Sequence, residues 1–215
     1  MRFKLLLLSF YVVLSGTLVG QECKKIIKQK KGITYLRASK TLYTGTCIHI
    51  DRKSSTKSGQ SSYKNGMLDG TEIWFYEDGA VKIEIDFKEG MKEGFWKHYS
   101  PEGLLTESVE YHKGKAHGRH TLYYETGKAR LQRNFEEGVL NGHYIEYFEE
   151  GGINNECMYK NGLKEGLYRS YYPDGAIQSE YTFIHDKIDG VYRFFDVEGN
   201  VIYLWMYING VKTAM

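Results

Sequence analysis

Between Val81 and Phe87 apolar and polar residues alternate without a break. Val81, Ile83, Ile85 and Phe87 fall on one side, and Lys82, Glu84 and Asp86 on the other. Leu105, Val109 and Tyr111 repeat the alternation against Thr106, Ser108 and Glu110. A period of two over this length predicts a half-buried strand. A second kind of segment, such as Tyr144-Ile145-Glu146-Tyr147-Phe148, also reads as strand but carries aromatics at both parities. That predicts partial cover on both of its faces. The two kinds of segment take turns along the chain, and glycines separate them.

The glycines fall in three columns spaced by 24 residues, with no insertion or deletion. The first column is Gly66, Gly90, Gly114, Gly138, Gly162, Asp186 and Gly210; the second is Gly70, Gly94, Gly118, Gly142, Gly166 and Gly190; the third runs from Gly79 to Gly199. A period kept over six units identifies a repeat architecture. Glu77-Asp78-Gly79, Pro101-Glu102-Gly103 and Pro173-Asp174-Gly175 read as short hairpin turns in which Gly supplies a positive φ. Lys64-Asn65-Gly66 and Lys160-Asn161-Gly162 read as the longer returns to the next unit. Asp186 stands in a glycine slot, which Asp tolerates better than most residues.

Each unit is therefore expected to be a hairpin, and successive hairpins to join edge to edge. The predicted fold class is all-β: one elongated antiparallel meander of 24-residue hairpins, twisted and coiled by the strand twist. Two strands per unit carry six units over roughly 60 Å. Two aromatic columns support the sheet. One is Tyr63, Phe87, Tyr111, Phe135, Tyr159, Phe183 and Tyr207; the other is Phe75, Tyr99, Tyr123, Tyr147, Tyr171 and Phe195. Cross-strand aromatic pairs add about 0.2–1 kcal/mol each. Columns that never vary point to packing rather than to a stacking platform for sugars or bases.

The pattern Tyr-x-x-Gly-x-x-x-Gly-x-Trp/Tyr-x-x-Tyr-Tyr-x-x-Gly, over about residues 42 to 210, resembles the MORN-repeat variant of the YwqK-type antitoxin family. The resemblance implies a hairpin ribbon that binds proteins or membranes, some relatives being proposed to neutralise toxins encoded beside them. Glu72 and His120 depart from its Trp/Tyr position, and Asp186 from its Gly.

The two ends differ from the repeat. Arg2 and Lys4, then the apolar run Leu5 to Leu14 and the small Gly20, read as a signal peptide over 1–20. The protein is then expected to be exported, to the periplasm or the cell exterior or surface. Residues 21–62 divide into a basic arm from Glu22 to Lys31, a degenerate capping repeat from Ile33 to Ile50, and a Ser/Lys-rich loop from Asp51 to Ser62. The arm reads as a solvated, weakly structured lead-in. Regular repeats and a truncated last unit occupy 63–215. In an oxidising compartment Cys23 and Cys47 could pair or stay free, and Cys157 reads as a core residue.

At the other end, the polar-side slots of the last strand hold Asn200, Ile202, Leu204 and Met206, opposite Val201, Tyr203, Trp205 and Tyr207. An uncharged terminal strand, apolar on both faces, needs a cover. Ile202, Leu204, Trp205 and Met206 are the candidate binding residues, for a protein partner, a toxin or a second copy, against a self-folded C-terminal tail.

Candidate chemistry is sparse. His49, His98, His112, His117, His120, His143 and His185 fall at unrelated repeat positions, which argues against a metal centre. Asp69, Glu93, Glu165 and Asp189 recur before the second glycine, with His117 and Asn141 in two units, as polar turn residues would. No GxSxG, P-loop or CxxC motif is present. No cofactor and no small-molecule substrate is inferred. The formal net charge of +2 gives no support to nucleic-acid binding, nor does the composition support a membrane surface as partner. The leading reading is a non-enzymatic interaction scaffold of the bacterial envelope. An antitoxin or immunity protein and an envelope glycan or lipid binder are the alternatives. Specificity should lie where units differ, in the basic arm and the apolar final strand.

Overall fold

The structure, a computed structural model, describes residues 21–213. The expected signal peptide lies outside the described residues. The strands form one 18-stranded sheet. From Gly45–Ile50 and Lys57–Lys64 onward each strand pairs antiparallel with the next in the chain. The series ends with Gly190–Phe195, Val201–Ile208 and Val211–Thr213. The meander of hairpins expected from the 24-residue period is present throughout.

The two kinds of turn exchange roles. The tight hairpins lie at the first glycine column, where Lys64 pairs with Met67 and Lys88 with Met91 across two-residue turns. Asn65 has φ 50° and Gly66 φ 79°, and Glu89 and Gly90 repeat these values at 51° and 81°. Two successive positive φ values define a type I′ turn, whose twist matches that of the flanking strands. His185 and Asp186, at 48° and 65°, make the same turn without glycine. The Asp-Gly turns are the longer ones, with Tyr76 N donating to the Ala80 carbonyl across the loop. Proline and aspartate resemble hairpin signals there because they build a five-residue loop around a type I-like turn.

Two N-terminal expectations also change. Lys57–Ser62 is strand rather than loop: its small side chains sit between two neighbours, and Ser61 is fully buried. The basic arm is not a loose lead-in. Cys23–Ile26 forms a helical turn, and Ile27–Lys30 pairs with Ile33–Leu36 as a separate hairpin. Gln21–Glu22 runs parallel to Gly45–Ile50 at the first edge of the large sheet, pairing with Cys47 and Ile48. Cys23 and Cys47 form a disulfide. Together with Tyr43 and Tyr63 they make the main buried apolar cluster, against which Ile26, Ile27, Leu36 and Leu68 pack.

Elsewhere the sheet is a single layer, and most side chains on both faces are half-buried. Its middle column on one face mixes apolar with charged groups. His120, 7% exposed, bonds through Nε2 to Glu107 at 2.8 Å and accepts at Nδ1 from Arg133 Nε at 3.0 Å. Accepting from a guanidinium requires an unprotonated Nδ1. Burial, then the Arg133 charge, hold the His120 pKa below its ordinary value against the pull of Glu107. His49 is also lowered by burial, opposed by Glu72.

Gly138→Ala should cost about 1–2 kcal/mol, because at φ +88° only the left-handed backbone is penalised and a Cβ would meet nothing within 4 Å. Gly66→Ala should cost at least about 1 kcal/mol more, since its Cβ would lie 2.8 Å from the Thr34 carbonyl oxygen. Urea midpoints at constant m-value check the difference.

A histidine whose folded pKa is depressed contributes stability that is full above its unfolded pKa and is lost as pH falls. Stability should therefore decline below about pH 6.5, by up to about 1.4 kcal/mol per pH unit for each such histidine. His120→Gln should flatten part of that slope in denaturation curves taken from neutral to mildly acid pH.

Candidate binding surfaces

The terminal strand sits where an open repeat must expose its backbone. Val201–Trp205 pairs with Phe195–Tyr192 on one side. On the other side the short strand Val211–Thr213 covers only Met206–Ile208. Among the described residues nothing pairs with the outer edge of Val201–Trp205. Val201, Ile202, Tyr203 and Leu204 each expose between 44% and 51% of their surface. The strand has no charged residue. An uncovered, uncharged edge of this kind is a template for another strand.

The four residues singled out from sequence do not form one patch. Ile202, Leu204 and Met206 share one face, with Met206 half-buried. Trp205 lies on the opposite face with Val201 and Tyr203. It stacks on Tyr192 at 5.2 Å and on Tyr203 at 5.3 Å, and Lys212 Nζ stands 3.8 Å from its ring centroid. Trp205 is thus held by packing, while Ile202 and Leu204 are free. Val201, Tyr203 and Ile208 are equally exposed and belong with the surface. Val201 and Tyr203 stand in the ordinary apolar slots of the alternation, so nothing in the period-two pattern sets them apart from core positions.

The face that carries Trp205 also carries an aromatic row, in which Tyr168 and Tyr192 stand at the Trp/Tyr position of the repeat and Tyr181 and Trp205 are additions of the last units. Tyr168 stacks on Tyr181 at 4.6 Å, Tyr181 on Tyr192 at 4.9 Å, and Tyr192 on Trp205. In earlier units the first of these positions holds Glu72, Trp96, His120 and Tyr144, and the second Ile85, Val109, Arg133 and Cys157. Burial pushes the Tyr168 and Tyr181 phenols up, so both stay protonated across the neutral range. Half-buried stacks of this kind stiffen a single-layer sheet.

Two other groupings invite a chemical reading. Ser61 donates to Glu72 at 2.6 Å and lies 2.7 Å from His49 Nε2. Its hydroxyl proton points to the carboxylate rather than to the imidazole, and the residue is fully buried. That arrangement satisfies buried polar groups and does not present a nucleophile. His112 and His117 approach to 5.7 Å between ring centroids, but they face Glu93 at 2.9 Å and Glu137 at 3.8 Å respectively. Among the described residues no group of three or more His, Cys, Asp or Glu side chains could hold a metal ion. Cys157 is buried and free, and burial pushes its thiol up, away from the reactive thiolate.

The recurring acids before the second glycine have a structural task. Asp69, Glu93, Asn141, Glu165 and Asp189 each accept from the backbone N–H of the residue twenty positions on, at 2.8–3.3 Å. That residue is the first of the next tight turn, so the column caps turns and supplies no paired acid for catalysis.

No curated protein matches the chain. A solved structure of the Photorhabdus luminescens Tc holotoxin pore matches with 10% identity and a TM-score of 0.20, over 87% of this chain and 12% of that one. The chain thus spans 12% of that protein's length, and a score so low says nothing of its activity. A family model does match within the repeats. The description MORN repeat variant fits residues 68–89, 140–161 and 164–185, so the chain carries MORN-variant repeats over those three stretches.

Proposed function

We propose that the chain is an exported, non-enzymatic scaffold of the bacterial envelope that takes up a strand of a protein partner along Val201–Trp205. The observation that carries this reading is the contrast between the two ends of one sheet. At the first edge Gln21–Glu22 pairs with Cys47 and Ile48, and the disulfide fixes the folded N-terminal head against that strand. The last is uncharged, exposed and paired on one side only over five residues. The non-enzymatic part of the reading rests on the MORN-variant repeats, a repeat and binding family that is usually not enzymatic. Neutralisation of a toxin, as the YwqK resemblance implies, is the narrower form of the same reading, with the toxin supplying the strand. A glycan-binding role is less favoured, because Trp205 is packed between Tyr192 and Tyr203 beneath Lys212.

The double variant Ile202→Lys/Leu204→Lys tests the edge without touching the repeat. Both residues are exposed, so folding stability should change by no more than about 0.5 kcal/mol. A polypeptide captured from the envelope fraction by the unaltered protein should bind the variant at least about tenfold more weakly, as charge on an edge opposes strand addition. Hydrogen exchange should show new protection of the Val201–Trp205 amides in the complex. Capture without such protection would reject the edge as the binding site. Growth rescue of cells expressing the captured partner would mark the toxin-neutralising form.

A further inference from the structure

Residues 21–40 hold seven cations and a single carboxylate, Glu22. Lys24, Lys25, Lys28, Lys30, Lys31, Arg37 and Lys40 are all exposed. Among the described residues only Lys25 has an ion-pair partner, Glu22 at 2.7 Å. The fold gathers these charges into one body. The disulfide ties Cys23 to the strand beneath, and Thr34 N donates to the Gly66 carbonyl at 2.8 Å. A cleft of about 350 Å³ lies among Lys28, Lys30, Tyr35, Leu36, Arg37 and Lys40. The head is therefore a folded, fixed array of positive charge rather than a loose tail.

The far units carry the opposite sign. Residues 136–198 hold thirteen carboxylates and five cations. A whole-chain net charge of +2 conceals this separation. Since the units follow one another across the sheet, charge order along the chain is charge order along the ribbon. In the field of an anionic surface such a molecule is both attracted and oriented. The head is drawn in, and the later units are pushed away.

We propose that the N-terminal head docks the protein on a lipid bilayer surface bearing anionic phospholipid headgroups, with the C-terminal edge held outward. A bilayer is favoured over nucleic acid by what accompanies the cations. Readout or single-strand binding needs stacking aromatics or base-reaching polar groups, and Tyr35 is the head's one aromatic residue. A planar anionic surface needs only several cations within a Debye length, each adding to the attraction. The head lies outside the matched repeats.

The test uses the chain from Gln21 onward, which contains every strand of the sheet among the described residues, with sedimentation of lipid vesicles. It should co-sediment with vesicles one-third phosphatidylglycerol and not with pure phosphatidylcholine. Binding should fall at least about tenfold between roughly 0.1 M and roughly 1 M salt. Lys28→Glu/Lys30→Glu/Arg37→Glu/Lys40→Glu should lose at least about a hundredfold in affinity, with an unchanged melting curve showing that it folds. Ile202→Lys/Leu204→Lys should bind vesicles normally, so failure here is distinct from failure at the edge. Equal binding to neutral vesicles would overturn the proposal. So would undiminished binding by the charge-reversed head, or tighter binding to an oligonucleotide than to the anionic vesicles.

Discussion

Two amide groups in every tight turn have no partner inside their own hairpin, and the structure depends on where they go. In a type I′ turn the N–H groups of both central residues point away from the strands. The second of them is taken by the preceding unit. Gly90 N donates to the Leu68 carbonyl, Gly114 to Lys92, Gly138 to Ala116, Gly162 to Leu140, Asp186 to Lys164 and Gly210 to Ile188, all at 2.8–3.0 Å. In the turns that begin at Glu89, Lys113, Asn161, His185 and Asn209 the first is taken by the side chain before the second glycine of the preceding unit. Each turn is thus seated on the one before it, and 24-residue spacing without insertion becomes a physical requirement. One extra residue between two units would leave both donors of that turn without their partners.

This ladder explains why the sheet can do without a second layer. The opposite rim is looser: its five-residue loops close on themselves, and only in alternate units does a tyrosine cross to the next. Tyr76 donates to the Tyr99 carbonyl, Tyr124 to Tyr147 and Tyr172 to Phe195, at 2.7–2.8 Å. Ser100, Phe148 and Asp196 hold those places in the intervening units. Within the sheet, the tyrosines of the second aromatic column reach back to a polar neighbour, as Tyr99 does to Glu84 and Tyr171 to Glu156. Burial, then the Glu84 contact, push Tyr99 up to about 12. Invariant columns are therefore satisfied within the repeat itself, and little is left on them for a ligand.

Much of the architecture was legible because it is written six times. The glycine columns, the alternation and the aromatic columns each report one local requirement, and repetition separates them from chance. What repetition could not report was which glycine makes the tight turn. Both Asn-Gly and Asp-Gly fit a hairpin, and the difference lies in whether one residue or two take positive φ. Lys57–Ser62 was opaque for another reason. A strand between two neighbours can be small and polar if His49 and Glu72 meet its one buried hydroxyl, a contact between units that no local pattern shows. The basic arm looked solvated because its order comes from Cys47, Gly66 and Gly45–Ile50, all distant in sequence. Of the candidate site, Ile202 and Leu204 were readable as apolar residues in polar slots. The open backbone beside them depends on how far Val211–Thr213 extends.

An open-ended repeat has two edges, and this one treats them unequally. Closing the first costs about twenty residues, a disulfide and a helical turn, and it leaves that end rigid and positively charged. The last edge is closed over three residues and then left open. On the proposed reading a strand is added at this last end, where five consecutive residues are open, and the acidic units that precede it disfavour its approach to the kind of surface that would attract the head. Between the two ends each unit contributes two strands, roughly 10 Å of ribbon. On the proposed reading the repeat number sets how far a captured partner is held from the anchored head. That would also account for columns so uniform in the middle of the chain: a spacer needs regular seating, and its chemistry can be confined to the ends.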